Sequence, residues 1–420
     1  MNTLAKHFSL GGLLRFAAPA VGMMLVLSIY TVTDGIFIGR YAGTLALAAS
    51  NIVYPVLNLL FGLSIMLSSG GSALVAKTLG EGDAALARRR FTLIVVVGAA
   101  LGILLALSVF LFMEPILALL GASPELYADC RAYLSANMFF APFVALMIIF
   151  NAFYIADGRP VQGFLVSLTA GLVNVGLDYV FLAHFGMGIV GAGLATGISD
   201  VVAAVLGFVY FSRYSRTLAF ARFSFAVRPL FQALYNGSSE MVTQLSVGIT
   251  TYLFNLVTFS YAGADGVAAI SVILYAEMLL TAILMGFANG VAPVFSYQFG
   301  AKGYAELLRL LRLSLGIIFG FGLLSFAAAR VFAAPLMALF LPDGGHAYVL
   351  ALGGFLLFSW SFSLCGFNLF ASTFFTAISM AGCRQSYPLC AISSASWYFL
   401  CSCRISSDWT AHGSPFLRQI

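Results

Sequence analysis

The chain alternates between long apolar runs and short, mostly basic connections. The apolar runs fall near 13–39, 45–76, 91–113, 131–155, 161–184, 188–211, 237–262, 266–297, 313–340 and 348–378. A helix crosses the hydrocarbon with roughly 20 apolar residues, so each run predicts one spanning helix. A segment in lipid must satisfy its own backbone hydrogen bonds, which makes helix the default. A membrane β-barrel would instead show short segments alternating apolar and polar residues. The pattern therefore predicts an all-α polytopic membrane protein. Gly11–Arg40 lacks a small-residue cleavage site and runs on to a charged turn. It reads as the first spanning helix rather than a cleaved leader.

Composition agrees with this reading. Hydrophobic residues make up 61% of the 420 and charged residues 8%, against about 25% charged in a soluble domain. The net charge of +5 is modest, and its placement says more than its size. With the N-terminus in the cytoplasm, the inner connections hold Lys6, Arg15, Lys77, Arg88, Arg89, Arg90, Arg159, Arg213, Arg216, Arg222, Arg228, Lys302, Arg309, Arg312 and Arg384, and the outer ones hold Arg40, Arg131 and Arg330. That asymmetry orients a multi-pass protein of a bacterial inner membrane. Basic residues parcelled between apolar runs do not suggest nucleic acid. The six cysteines show no metal or disulfide spacing.

The halves repeat. A shift of 220 places Tyr41-Ala42-Gly43 on Tyr261-Ala262-Gly263 and pairs Gly70 with Gly290, Gly80 with Gly300 and Arg89 with Arg309. Both copies cover a helix, a basic connection and the next helix, so the repeat is parallel, about an axis along the membrane normal. Two such bundles are a recurring transporter plan. The expected organisation is an N-terminal six-helix lobe over 1–211 and a cytoplasmic linker over 212–232. A C-terminal lobe follows over 233–382, with four helices and an incomplete bundle, and then a divergent tail over 383–420.

Acids inside spans carry the candidate chemistry. Asp34, Asp178, Asp200, Glu240 and Glu277 all lie within predicted helices, with no Lys or Arg at comparable depth. A charge at mid-bilayer costs at least ~2.5 kcal/mol, so an acid without a basic partner implies protonation or a bound cation. Asn174 and Asp178 are one turn apart on one helical face, as are Thr196 and Asp200 on the next. A carboxylate, an amide oxygen and a hydroxyl are hard ligands suited to Na+ or to a proton relay. Interhelical hydrogen bonding is the ordinary alternative for Asn174 and Thr196. Pro19, Pro55 and Pro293 lie in or near spans and permit bends.

The chain resembles the multidrug and toxic compound extrusion (MATE) family over about residues 10–380. The resemblance rests on Leu14-Arg15-Phe16-Ala17-Ala18-Pro19, Thr33-Asp34-Gly35-Ile36-Phe37-Ile38-Gly39, Ala156-Asp157-Gly158-Arg159-Pro160 and Asn236-Gly237-Ser238-Ser239-Glu240, joined to the parallel repeat. It implies an antiporter that exchanges cationic, often aromatic compounds for Na+ or H+. It implies a coupling site of Asp34, Asn174, Asp178 and Thr196, which would be the Na+ ligands in a sodium-coupled protein. By the same resemblance Pro19 is a first-helix proline that bends with the coupling state. Glu240 is the seventh-helix acid of a branch that also uses the C-terminal lobe, while the tenth-helix acid of that branch is missing from 348–378. Asp200 and Glu277 remain accessory candidates.

The family has twelve helices, and this chain departs from the pattern after about Gly382. The remaining residues hold four of the six cysteines and a polar end. A frameshift or truncated reading is the expectation for this tail. The functional expectation is a monomeric multidrug efflux antiporter with no cofactor, no ATP drive and no enzymatic activity. It would take small cationic substrates from the cell or bilayer. A lipid-linked oligosaccharide flippase and an inactive remnant are the alternatives. No Walker-type phosphate loop is present.

Overall fold

The computed structural model describes residues 3–222, 225–340 and 345–378. The divergent tail and Arg384 lie outside the described residues. Eleven helices run in chain order. They are α1 (Leu10–Phe37), α2 (Thr44–Gly80), α3 (Ala84–Leu111), α4 (Met113–Leu119), α5 (Tyr127–Phe139), α6 (Ala141–Ala156), α7 (Pro160–Asp178), α8 (Gly188–Val209), α9 (Val227–Gly300), α10 (Tyr304–Phe340) and α11 (His346–Ala377). No strand occurs among the described residues. Among the described residues, eight helical stretches are long and apolar enough to cross a membrane, or nine if the pair α5–α6 is one bent span.

Local chemistry sets the ends. Ser9 caps α1, its hydroxyl oxygen accepting from the Gly12 N–H at 3.2 Å, and Asp83 caps α3 by accepting from the Leu86 N–H at 2.8 Å. Such caps satisfy donors that the first turn leaves unpaired. Gly158 turns the chain between α6 and α7 with φ +74, and Pro160 then opens α7, where its missing N–H costs nothing. α1, α7 and α8 each run into a π-helical turn, at Ile38–Ala42, Tyr179–His184 and Tyr210–Tyr214.

Three boundaries differ from the sequence expectation. The run at 131–155 breaks into α5 and α6, bent by 52°, with Pro142 in the first turn of α6. The runs at 237–262 and 266–297 join in α9, interrupted at Gly263 with φ 58 and ψ −142. Its repeat counterpart Gly43 has φ +95 and separates α1 from α2, so equivalent glycines break both copies in conformations open mainly to glycine. Finally, α9 begins at Val227 and α10 at Tyr304, earlier than their apolar runs. Glu240 therefore sits thirteen residues into α9.

The described residues group into two compact units. One comprises those within Met1–Leu245, Ala282–Leu313 and Phe370–Arg384, and the other those within Ser246–Thr281 and Ser314–Leu369. In the first unit, helices meet at glycines. A Cβ on Gly98 would fall 2.1 Å from Ile149 Cδ1, one on Gly197 1.9 Å from the Phe140 ring, and one on Gly207 2.3 Å from the Phe150 ring. Van der Waals packing of this kind holds helices together where lipid offers no hydrophobic drive. Leu104, Leu107 and Leu111 stay exposed on α3, an apolar stripe suited to lipid. In the second unit Phe254, Ile273, Met337, Phe355 and Phe362 form the core.

Candidate functional site

α7 packs along both α1 and α8. This arrangement sets the predicted residues. Asn174 and Asp178, one turn apart on α7, are fully buried. The Asn174 Nδ2 donates to Thr196 Oγ1 of α8 at 3.3 Å. Asp34 of α1 is half-buried, with its Oδ1 shielded from solvent. It lies within electrostatic reach of Asp178. The structure thus gathers Asp34, Asn174, Asp178 and Thr196 from three helices. Asp178 immediately precedes a π-helical turn and Asp34 lies one helical turn before another, an irregularity that often accompanies functional positions.

The acceptors here lack donors. Asp34 Oδ1, Asn174 Oδ1 and both Asp178 carboxylate oxygens are buried without a hydrogen-bond partner. Buried polar atoms are normally satisfied, and a cluster of orphaned oxygens is what a hard cation or a proton would complete. Two carboxylates within electrostatic reach of one another, without a basic partner among the described residues, call for a compensating positive charge.

Sequence reasoning missed two aromatic members. Tyr133 of α5 is buried and lies within reach of both Asp34 and Asp178. Tyr30 of α1 lies within reach of Asp34 and Asp200. Gly193 permits the approach of α5, because a Cβ there would stand 2.8 Å from Ala136 Cβ and 3.2 Å from Asn137 Nδ2. The one-turn spacing of Tyr30 to Asp34 was the available signal, obscured among eighteen tyrosines.

The remaining candidates are placed as follows. Asp200 of α8 is buried one turn beyond Thr196. Pro19 is half-buried inside α1, next to Ala17, Ala20 and Val21, which pack against Gly286 and Gly290 of α9. Glu240 is buried on α9 beside Ser239. Glu277 lies half-buried in the second unit, where Cys365 of α11 is within its electrostatic reach and pairs with Thr281.

A separate carboxylate organises the end of the bundle at the α6–α7 turn. Asp157 accepts from the Tyr210 hydroxyl at 2.7 Å and from the Ser215 hydroxyl at 2.9 Å. Ser215 Oγ in turn accepts from the Leu218 N–H at 3.0 Å. Burial pushes the Asp157 carboxyl above the usual carboxylate range, while these hydrogen bonds and Arg159 oppose the shift. Arg88 donates to the carbonyls of Arg216 and Thr217. The segment after α8 is therefore strapped to α3 and α6.

Comparison with known proteins adds three findings. The MatE family model matches residues 19–180 and 240–381. Multidrug export protein MepA of Staphylococcus saprophyticus is 28% identical over 292 residues, 69% of this chain and 64% of that protein, just under two thirds of the relative's length. MepA of Staphylococcus aureus is 27% identical over 311 residues, 73% of this chain and 69% of its own. Among solved structures, a MATE transporter in the straight conformation superposes with a TM-score of 0.85 at 21% identity, covering 93% of this chain and 86% of that one. A mutant of the Vibrio cholerae MATE transporter VcmN gives 0.83 at 20% identity, covering 93% and 96%. At those identities the likeness is one of fold.

Proposed function

The chain belongs to the MatE family, and we propose that it is a secondary active exporter of cationic aromatic compounds, driven by entry of Na+ or H+ at Asp34, Asn174, Asp178 and Thr196. The observation that carries this reading is the group of buried, donor-free oxygens on Asp34, Asn174 and Asp178, beside the Asn174–Thr196 hydrogen bond. Its relatives named multidrug export proteins support export of drugs as the general activity.

Coupling needs only that the two ligands stabilise different conformations. Cation entry neutralises the Asp34–Asp178 pair, and the helices around it repack. α1 is the lever: Asp34 lies near its far end, while the segment around Pro19 bears on α9 through Ala17 and Val21. An organic cation released from the opposite conformation completes the exchange. In this reading the basic end, where α2 and α9 cross at Gly80 and Gly300, faces the cytoplasm.

The test is extrusion of a fluorescent cationic dye from cells expressing the chain, beside Asp178→Asn, with and without sodium. Active parent and inactive variant are expected, and the buffer dependence identifies the ion. Equal extrusion by both would remove Asp178 from the coupling site.

A further inference from the structure

A second polar layer lies one turn below the first. α1 and α7 run toward the Asp34–Asp178 layer, and α8 runs away from it. Tyr30 is four residues before Asp34, Gly171 three before Asn174, and Asp200 four after Thr196. Each step is about 4.5–6 Å along a helix, and all three point toward the basic end. Tyr30 lies against α7 at Gly171: a Cβ there would stand in ordinary contact with Tyr30 Cδ1 at 3.5 Å and crowd Val26 Cγ1 at 3.0 Å. Tyr30 is within electrostatic reach of both Asp200 and Asp34, so it spans the two layers.

Asp200 is 5% exposed. Among the described residues no hydrogen bond or ion pair reaches its carboxylate. α5, α6 and α7 all pack against α8. The titratable groups they bury in this interior are Cys130, Tyr133, Tyr154 and Asp178, and none is cationic. Below the layer, Ser167 donates to Asn151 at 3.3 Å, and Met147, Ala170 and Ala203 close the bundle with apolar contacts. An ionised carboxylate enclosed in this way requires a counter-charge or a proton.

We propose that Asp200, buried one turn beyond Thr196 on α8 with Tyr30 in the same layer, is a second and separately loaded site for a proton or a monovalent cation. The protein then takes up one positive charge beyond those held by the Asp34–Asp178 layer. The inference rests on the antiport reading for its role in the cycle, but the loading of Asp200 is measurable without transport.

Infrared difference spectra of the purified protein, recorded across a pH step and on sodium addition, read the carboxyl groups directly. In an Asp34→Asn/Asp178→Asn background, Asp200 is expected to contribute its own carboxyl band on protonation, or a carboxylate shift on sodium addition. The signal should vanish when Asp200→Asn is added and shift with Tyr30→Phe. The same subtraction is available in the otherwise unaltered protein if the double variant folds poorly. Identical spectra with and without Asp200→Asn would overturn the proposal. In vesicles, Asp200→Asn is expected to lower the dye gradient sustained by a fixed driving gradient, and an unchanged gradient would overturn the extra-charge role. Failure of the antiport reading would show separately, as dye extrusion unaffected by Asp178→Asn.

Discussion

Gly80 and Gly300 pack each into the other's helix. A Cβ on Gly80 would fall 2.1 Å from the Tyr297 carbonyl oxygen, and one on Gly300 would fall 2.1 Å from the Lys77 carbonyl oxygen. Each pair, 80 with 300 and 77 with 297, is separated by the repeat distance of 220 residues, so the local two-fold axis passes between them. The same symmetry holds further along. Gly70 and Gly237 bring α2 onto α9, through Ala233 and Met66, while Gly290 and Gly286 bring α9 onto α1, through Ala17 and Val21. A repeat recognised from scattered identities is thus a repeat of interfaces.

That relationship predicts a sharp response to one methyl group. Neither backbone carbonyl can move aside as a side chain could, so Gly300→Ala must separate α2 from α9. Overpacking typically costs about 1–3 kcal/mol. The expected outcome is a lower melting temperature in detergent and faster labelling of a cysteine introduced near the basic end. A variant as stable and as shielded as the parent would show that the crossing is not close in the membrane.

Thr196→Val separates architecture from chemistry at the coupling site. The substitution keeps volume and removes the acceptor for Asn174 Nδ2. A buried donor left unpaired costs about 1–3 kcal/mol. The expected effect is a several-fold to hundredfold weaker affinity for the coupling ion, read by isothermal titration or by the sodium or proton dependence of dye export. Binding of the dye itself should change little. An unchanged ion dependence would place the ion elsewhere.

Much of this was legible because bilayers simplify the reading. Apolar length located the helices, and the one-turn spacing of Asn174 and Asp178 identified a polar face that the structure turns toward Thr196. The bend at Phe140 was missed because hydropathy does not register direction, although Pro142 within that apolar run was the available signal. The starts of α9 and α10 were missed for the opposite reason, because their first turns are helical but polar. Tyr30 and Tyr133 were missed because a tyrosine in an aromatic-rich chain draws notice only when packing shows what it faces.

Asp157 offers a test outside the spans. Asp157→Ala would leave the Tyr210 and Ser215 hydroxyls without their acceptor and should cost about 1–3 kcal/mol, with faster proteolysis of the segment at 215–221. Asp157→Asn, which retains an acceptor, should cost less. The pH dependence has a definite sign. Burial raises the folded carboxyl above its unfolded value, so the fold binds the proton more tightly than the unfolded chain. Its contribution is fully present below the unfolded pKa and is lost as pH rises through the raised folded value. Mild acid should therefore stabilise the parent relative to Asp157→Asn, as read by thermal unfolding across that range.

The N-terminal segment supplies the last prediction. Its backbone is held at two points, by Gln298 Nε2 donating to the Leu4 carbonyl at 3.4 Å and by Arg309 donating to the Phe8 carbonyl at 3.0 Å. Glu306 joins the same knot, accepting from Arg309 at 3.2 Å and meeting His7 Nδ1 at 2.9 Å. The His7 side chain is 82% exposed, so its ion pair should contribute little. Arg309 differs because it holds a backbone carbonyl and faces a carboxylate only 10% exposed. Arg309→Ala should therefore release the segment and leave Glu306 without its guanidinium, whereas His7→Ala should do neither. Hydrogen exchange at residues 5–9 measures the difference, with protection expected to fall in Arg309→Ala and to persist in His7→Ala. Equal loss in both would assign the anchor to the histidine instead.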